Sequence, residues 1–322
     1  MKTSGRRWSL FIVVLLWLLL AVGWWQHQAI FDWLRLYNYQ PSVQVTELAT
    51  DTTMNSRARH LFYVYHPLIE NKDQFSDSCT QNEQTIVLGC YVNRRGIYIY
   101  NVADSRLNGV LQVTAAHEML HAAYDRLSPA DKSHVDGLIL KAYTSVTDQR
   151  IRDTIADYKK AGADTTNELH SILGTEVSNL PPELENYYKR YFDDRAKIVK
   201  YSQQYEQAFT ERQKAVKDYD FQINTLKKNI DQLENSLSQQ LNNLNSQRQQ
   251  MQRLLNDKNY QAYNAAVGPF NDLVTKYNHD VAAVRALIDQ YNVLVRERNN
   301  LALEENQLIK AIDSRPDTVQ GQ

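Results

Sequence analysis

Hydrophobic and polar positions divide the chain into three stretches. Residues 8–25 form an apolar run in which only Ser9 and Gly23 fall outside the apolar set. As a helix this run measures about 27 Å, enough to span a bilayer. Ile30, Phe31, Trp33, Leu34 and Leu36 follow before Pro41, which predicts an amphipathic juxtamembrane segment over residues 26–41. Residues 42–194 then mix two periods. Thr53 stands as a cap before a helix carrying Ala58, Leu61, Phe62 and Tyr65. Residues 85–92 and 96–102 are β-rich and separated by Asn93-Arg94-Arg95, so they predict a hairpin. Residues 110–124 contain no glycine, no proline and no charge apart from Glu118, the pattern of a buried helix. Ser128-Pro129 opens another helix, to about Val146; Ala161-Gly162-Ala163-Asp164 reads as a loop, and Pro181-Pro182 as a further helix entry.

From residue 195 the pattern turns heptad. Val216, Ile223, Ile230, Leu237, Leu244 and Met251 hold one core position, with Tyr219, Leu226, Leu233 and Leu254 at the other. A second register runs through Tyr260, Val267, Val274, Val281, Ile288, Val295 and Ile309, with Tyr263, Phe270, Tyr277, Val284, Tyr291 and Ile312 as partners. It passes through Gly268-Pro269, which therefore reads as a kink, and the turn falls near residues 256–259. The matched arms predict an antiparallel coiled-coil hairpin over residues 195–315, with a parallel oligomeric coil as the alternative. Residues 316–322 read as a disordered tail.

Charge and cysteines add location. Lys2, Arg6 and Arg7 precede the apolar run, which places the N-terminus in the cytoplasm and the bulk of the chain outside it. Residues 1–25 are then a cytoplasmic tip and a transmembrane signal anchor. A cleaved signal peptide with Ala21-Val22-Gly23 as its site is the rival reading. Two cysteines eleven residues apart, Cys79 and Cys90, fit a disulfide in that compartment. A formal net charge of −1 argues against nucleic acid as a partner.

The chemistry lies in His117-Glu118-Met119-Leu120-His121. A helix advances about 100° per residue, so His117 and His121 share one face and two imidazoles can grip one zinc ion. Glu118 points beside them, where a carboxylate can take a proton from water and pass it to a leaving amine. A surface helix whose His and Glu merely face water is the bland alternative, which the apolar flanks disfavour.

Residues 114–123 resemble the active-site helix of the zincin metallopeptidases. The chain continues Ala122-Ala123-Tyr124-Asp125, which lacks the metzincin extension. Downstream, Asn167-Glu168-Leu169-His170-Ser171-Ile172-Leu173-Gly174 is similar to the helix that supplies the third ligand in gluzincins. The resemblance implies Glu168 as that ligand, with Glu176 as runner-up. The two lie eight residues apart, about 12 Å along a helix, so both cannot bind one metal. It also implies that the strand at Ile97-Tyr98-Ile99-Tyr100 is an edge strand binding substrate backbone; a core strand with nothing to bind is the alternative. Asp125 or Glu176 could orient a ligating histidine. His170, Tyr124 and Tyr191 are candidate donors to a developing oxyanion.

These readings combine into an α+β zincin-like catalytic domain between an N-terminal transmembrane helix and a long α-helical coiled-coil hairpin. The expected function is a membrane-anchored, extracytoplasmic zinc metalloendopeptidase holding one zinc ion and acting on a peptide or protein substrate. Its hairpin would serve a protein partner or self-association. Two alternatives stand: a cell-surface coiled-coil interaction protein with a structural or vestigial zinc site, and a zinc amidase acting on cell wall.

Overall fold

The computed structural model describes residues 12–13, 15–18, 20, 22–23, 26–79 and 86–315. Half of the apolar run over residues 8–25 therefore lies outside the described residues, and the tail read over residues 316–322 lies wholly outside them. Among the described residues no helix is long and apolar enough to cross a membrane. The chain is mostly helical, with one small sheet and two long C-terminal helices.

Helices α1 (His27–Leu36), α2 (Val43–Asp51) and α3 (Ser56–Val64) come first. Asn55, not Thr53, caps α3: its side chain accepts the N–H groups of Arg57 and Ala58. Thr53 instead takes φ 52° and donates its hydroxyl to the Asp194 carbonyl. Strand β1 (Leu68–Glu70), helix α4 (Lys72–Ser78) and strands β2 (Gly89–Val92) and β3 (Gly96–Tyr100) follow. The hairpin of β2 and β3 turns at Asn93-Arg94-Arg95, with Arg94 at φ 60°. The sheet order is β1-β3-β2, with β1 parallel and β2 antiparallel to β3. β3 is thus the central strand, which corrects the edge-strand expectation. Both its rims are already hydrogen-bonded, and the outer rim belongs to β2.

Helix α5 (Val110–Asp125) carries the His-Glu-x-x-His residues and is buried along almost its whole length. Two helices separate it from the Glu168 segment: α6 (Pro129–Tyr143), capped by Ser128, and α7 (Gln149–Ala161), capped by Asp148 and closed by Gly162 at φ 77°. Helix α8 (Thr165–Glu176) packs on α5, and α9 (Pro182–Tyr188) completes the shell. Gly174 makes the α5–α8 approach possible. A Cβ there would stand 2.5 Å from Leu120 Cδ1 and 2.8 Å from Tyr188 Cε1. Cys79 and Cys90 form a disulfide that ties the end of α4 to β2.

The chain forms two compact units. The first comprises the described residues up to Gln207 and from Lys310 onward. It is larger than the domain expected over residues 42–194. Phe31 and Leu36 of α1, within the juxtamembrane segment expected over residues 26–41, pack on its core. Ile198 and Val199 are buried in it, and Ser314 is fully buried with its hydroxyl 2.5 Å from the Val87 carbonyl. The second unit, residues 208–309, is an antiparallel helical pair. Its helices belong to α10 (Arg195–Asn256) and α11 (Tyr260–Ile312), and the break lies at residues 257–259. Arg212 meets Glu304, Arg298 meets Asp220 and Gln240 meets Asp280, so the partners close toward the turn in opposite directions. Leu226, Ile230 and Val284 are its most buried residues, with Leu233, Leu237, Ile288 and Tyr291 against them. Pro269 sits inside α11, and the helix continues through it.

Candidate metal centre

Helix periodicity puts the rings of His117 and His121 on one face, 4.7 Å apart between centroids. Helix α8 begins where Asp164 accepts the N–H groups of Thr166 and Asn167, and this cap sets Asn167 and Glu168 in the first turn, facing α5. Oε2 of Glu168 then lies 3.7 Å from Nε2 of both His117 and His121. That is too long for a hydrogen bond. Three donors held about 2.0–2.2 Å from one tetrahedral zinc ion would be spaced about 3.4 Å apart. Oε2 of Glu168 is buried with no hydrogen-bond donor among the described residues, a costly state that a bound cation relieves. Burial works to raise the Glu168 carboxyl. The nearby imidazoles of His117 and His121 and a hydrogen bond from Tyr158 outweigh it and hold the group below its ordinary range. The donor set suits zinc.

His121 Nδ1 lies 2.9 Å from Asn167 Oδ1. An amide oxygen only accepts, so Nδ1 carries the proton and Nε2 presents its lone pair toward Glu168. Asn167 therefore orients His121, the part expected of Asp125 or Glu176. Asn167→Ala should lower zinc affinity by about 10–100-fold, read by competition with a chromogenic chelator. Unchanged affinity would remove Asn167 from this role.

Glu118 is 4% exposed, and its carboxylate lies with the two histidine donors inside a 4.8 Å group. Gly89 of β2 makes room for it: a Cβ at that position would fall 2.8 Å from Glu118 Oε1 and 2.5 Å from Thr114 Cγ2. β2, which among the described residues pairs only with β3, thus passes at Gly89 directly beside the carboxylate. A cleft of about 210 Å³ lies over His117, Glu118, His121 and Glu168, walled by Tyr91 and Tyr158. A neighbouring cleft of about 160 Å³ runs from His117 and Glu118 past Val87 to Glu176 and Tyr205.

Several expected residues lie elsewhere. Glu176 is held by Arg150 at 2.7 Å and lines only the second cleft, so it does not stand with the histidines as Glu168 does. His170 is fully buried, with Nε2 2.9 Å from the Tyr187 hydroxyl; burial and the charges of His121 and His117 push it down to about 3, so it stays neutral. Tyr124 is buried and donates to Asp136 at 2.7 Å, Tyr191 is buried beside Tyr187, and Asp125 accepts from Tyr91 at 3.0 Å. None of these four lines either cleft. Tyr158, absent from the sequence reading, lines both. Its signal was present as the stripe Ile151, Ile155, Tyr158 on α7, spaced for one inward face.

Arg150 also pairs with Glu206. Burial raises the Glu206 carboxyl, Arg150 opposes this and Glu176 adds to it, so the group moves from 4.5 to about 7. A carboxyl that holds its proton more tightly when folded loses stability as pH rises between those two values. Relative to Glu206→Gln, the native chain should therefore lose up to about 3 kcal/mol of folding free energy between pH 4.5 and 7. Thermal melts of both proteins at the two pH values check this; parallel curves would count against it.

Set beside known proteins, the chain matches no family model, no curated protein and no solved structure.

Proposed function

We propose that the protein is a membrane-anchored, extracytoplasmic zinc metalloendopeptidase of the gluzincin kind. One observation carries this reading: a buried Glu168 oxygen equidistant from two histidine nitrogens, with Glu118 beside them and an open strand rim alongside. His117, His121 and Glu168 would hold the metal. A bound zinc ion supplies Lewis acidity toward water and toward a carbonyl.

The chain's own groups account for the rest. An extended substrate segment adds to the outer rim of β2, since among the described residues no strand pairs there. Its scissile amide then lies over the cleft next to Glu118. Glu118 takes a proton from the attacking water and delivers it to the leaving amine. Tyr158, a cleft residue whose hydroxyl rests on Glu168, would turn that hydroxyl to the oxygen on which charge develops once Glu168 holds a metal. Asn167 keeps His121 in the tautomer that binds metal. The membrane part of the proposal is supported by the apolar run: Ile12, Val13, Leu15, Leu16, Trp17, Leu18, Leu20 and Val22 are all exposed.

Elemental analysis of the purified full chain, paired with a peptide-library cleavage assay, tests the proposal. One zinc per chain and cleavage lost on chelation and restored by zinc are expected. Absence of zinc would favour an interaction protein, and zinc with cleavage only of cell-wall amides would favour an amidase.

A further inference from the structure

Helix α1 has two faces of opposite character. Phe31 and Leu36 pack on the core. Between them Asp32 makes a two-pronged pair with Arg126, at 2.7 and 2.8 Å, and Arg35 donates to the carbonyls of Val64 and Arg95, each at 2.9 Å. His66 in turn bonds the Arg35 carbonyl. The helix is therefore bolted down along one side. The other side carries Ile30, Trp33, Leu34 and Tyr37, between 45% and 66% exposed and spaced i, i+3, i+4, i+7. The rings of Trp33 and Tyr37 touch, with centroids 5.6 Å apart. Four large apolar side chains left in water on one helical stripe mark a surface that meets something.

What it meets is indicated by the chain just before it. The exposed apolar residues Ile12 to Val22 end five residues before His27. A stripe rich in Trp and Tyr immediately beyond such a run has the composition of the lipid–water interface, where amphipathic rings reside. We propose that α1 lies in the headgroup region of the bilayer, with Ile30, Trp33, Leu34 and Tyr37 turned into lipid. This rests on the anchor reading above. Arg126 is the residue that closes α5. Its pairing with Asp32 makes α1 and the His117–His121 helix one connected piece, so the bilayer plane sets the attitude of the candidate active site. The substrates in reach are then chain segments held close to the membrane surface.

The test uses the full chain in phosphatidylcholine–phosphatidylglycerol vesicles, with an environment-sensitive fluorophore on single variants Leu34→Cys, Leu18→Cys and Leu140→Cys. All three side chains are exposed, so labelling leaves the fold intact. Labels at 34 and 18 should be quenched by nitroxide lipids and shielded several-fold from aqueous iodide, while the label at 140 shows the reverse. If 18 behaves as lipid-embedded and 34 as aqueous, the inference falls and the anchor stands. If both are aqueous, the anchor reading falls and the inference with it. A label at 34 shielded from iodide yet untouched by nitroxide lipids would mean a second copy of the chain covers the stripe, which also overturns the proposal.

Discussion

Glu118→Gln should retain zinc and lose peptidase activity by about 10²–10⁴-fold, the range that a positioned proton-transfer group contributes. Glutamine keeps the shape of the side chain, so the packing against Gly89 and Thr114 is preserved. It cannot take a proton from water at neutral pH. The three metal donors, His117, His121 and Glu168, are untouched, so bound zinc should remain at one per chain. Activity and metal content measured on the same preparation separate the chemical defect from loss of the metal. Full activity in this variant would sink the proposed mechanism.

Glu168→Gln should instead lose the metal. The substitution leaves a neutral amide where a buried carboxylate faces both Nε2 atoms. A first ligand counts for more than the partner that orients one, so zinc affinity should fall by more than the ~10–100-fold expected at Asn167. Activity should drop with it and recover in part at high zinc concentration. Glu176→Gln is the matched control: it breaks the Arg150 pair and should leave zinc stoichiometry unchanged. If Glu176→Gln sheds zinc and Glu168→Gln does not, the ligand assignment is reversed.

Local patterns carried much of this structure in the sequence. His117 and His121 share a helical face, with Glu118 beside them, because of their spacing alone. Cys79 and Cys90 bond as their proximity suggests. The break at residues 257–259 falls where one heptad register ends and the next begins. What remained illegible depends on distant partners. β3 is central because of β1, a three-residue strand too short to show any alternation. Tyr158 faces the cleft only because α7 folds back beside α8, and Asn167 orients His121 only because the Asp164 cap fixes the first turn of α8. His170 looked chemical beside Glu168, yet two positions along a helix is about 200°, which turns it into the Tyr187–Tyr188 core. The α1 stripe was visible as hydrophobic residues, but which of them turn inward was settled by Asp32 finding Arg126 ninety-four positions away.

The compact unit around the metal centre is assembled from two stretches of chain, with residues 208–309 made between them. At ribosomal speeds of about 5–20 residues per second, those residues take roughly 5–20 s to synthesise. For that interval a nascent chain holds His117, Glu118, His121 and Glu168 but not Ser314, which caps the Val87 carbonyl at the approach to β2. Val87, two residues before β2, therefore stays without its Ser314 partner until the whole helical pair has emerged.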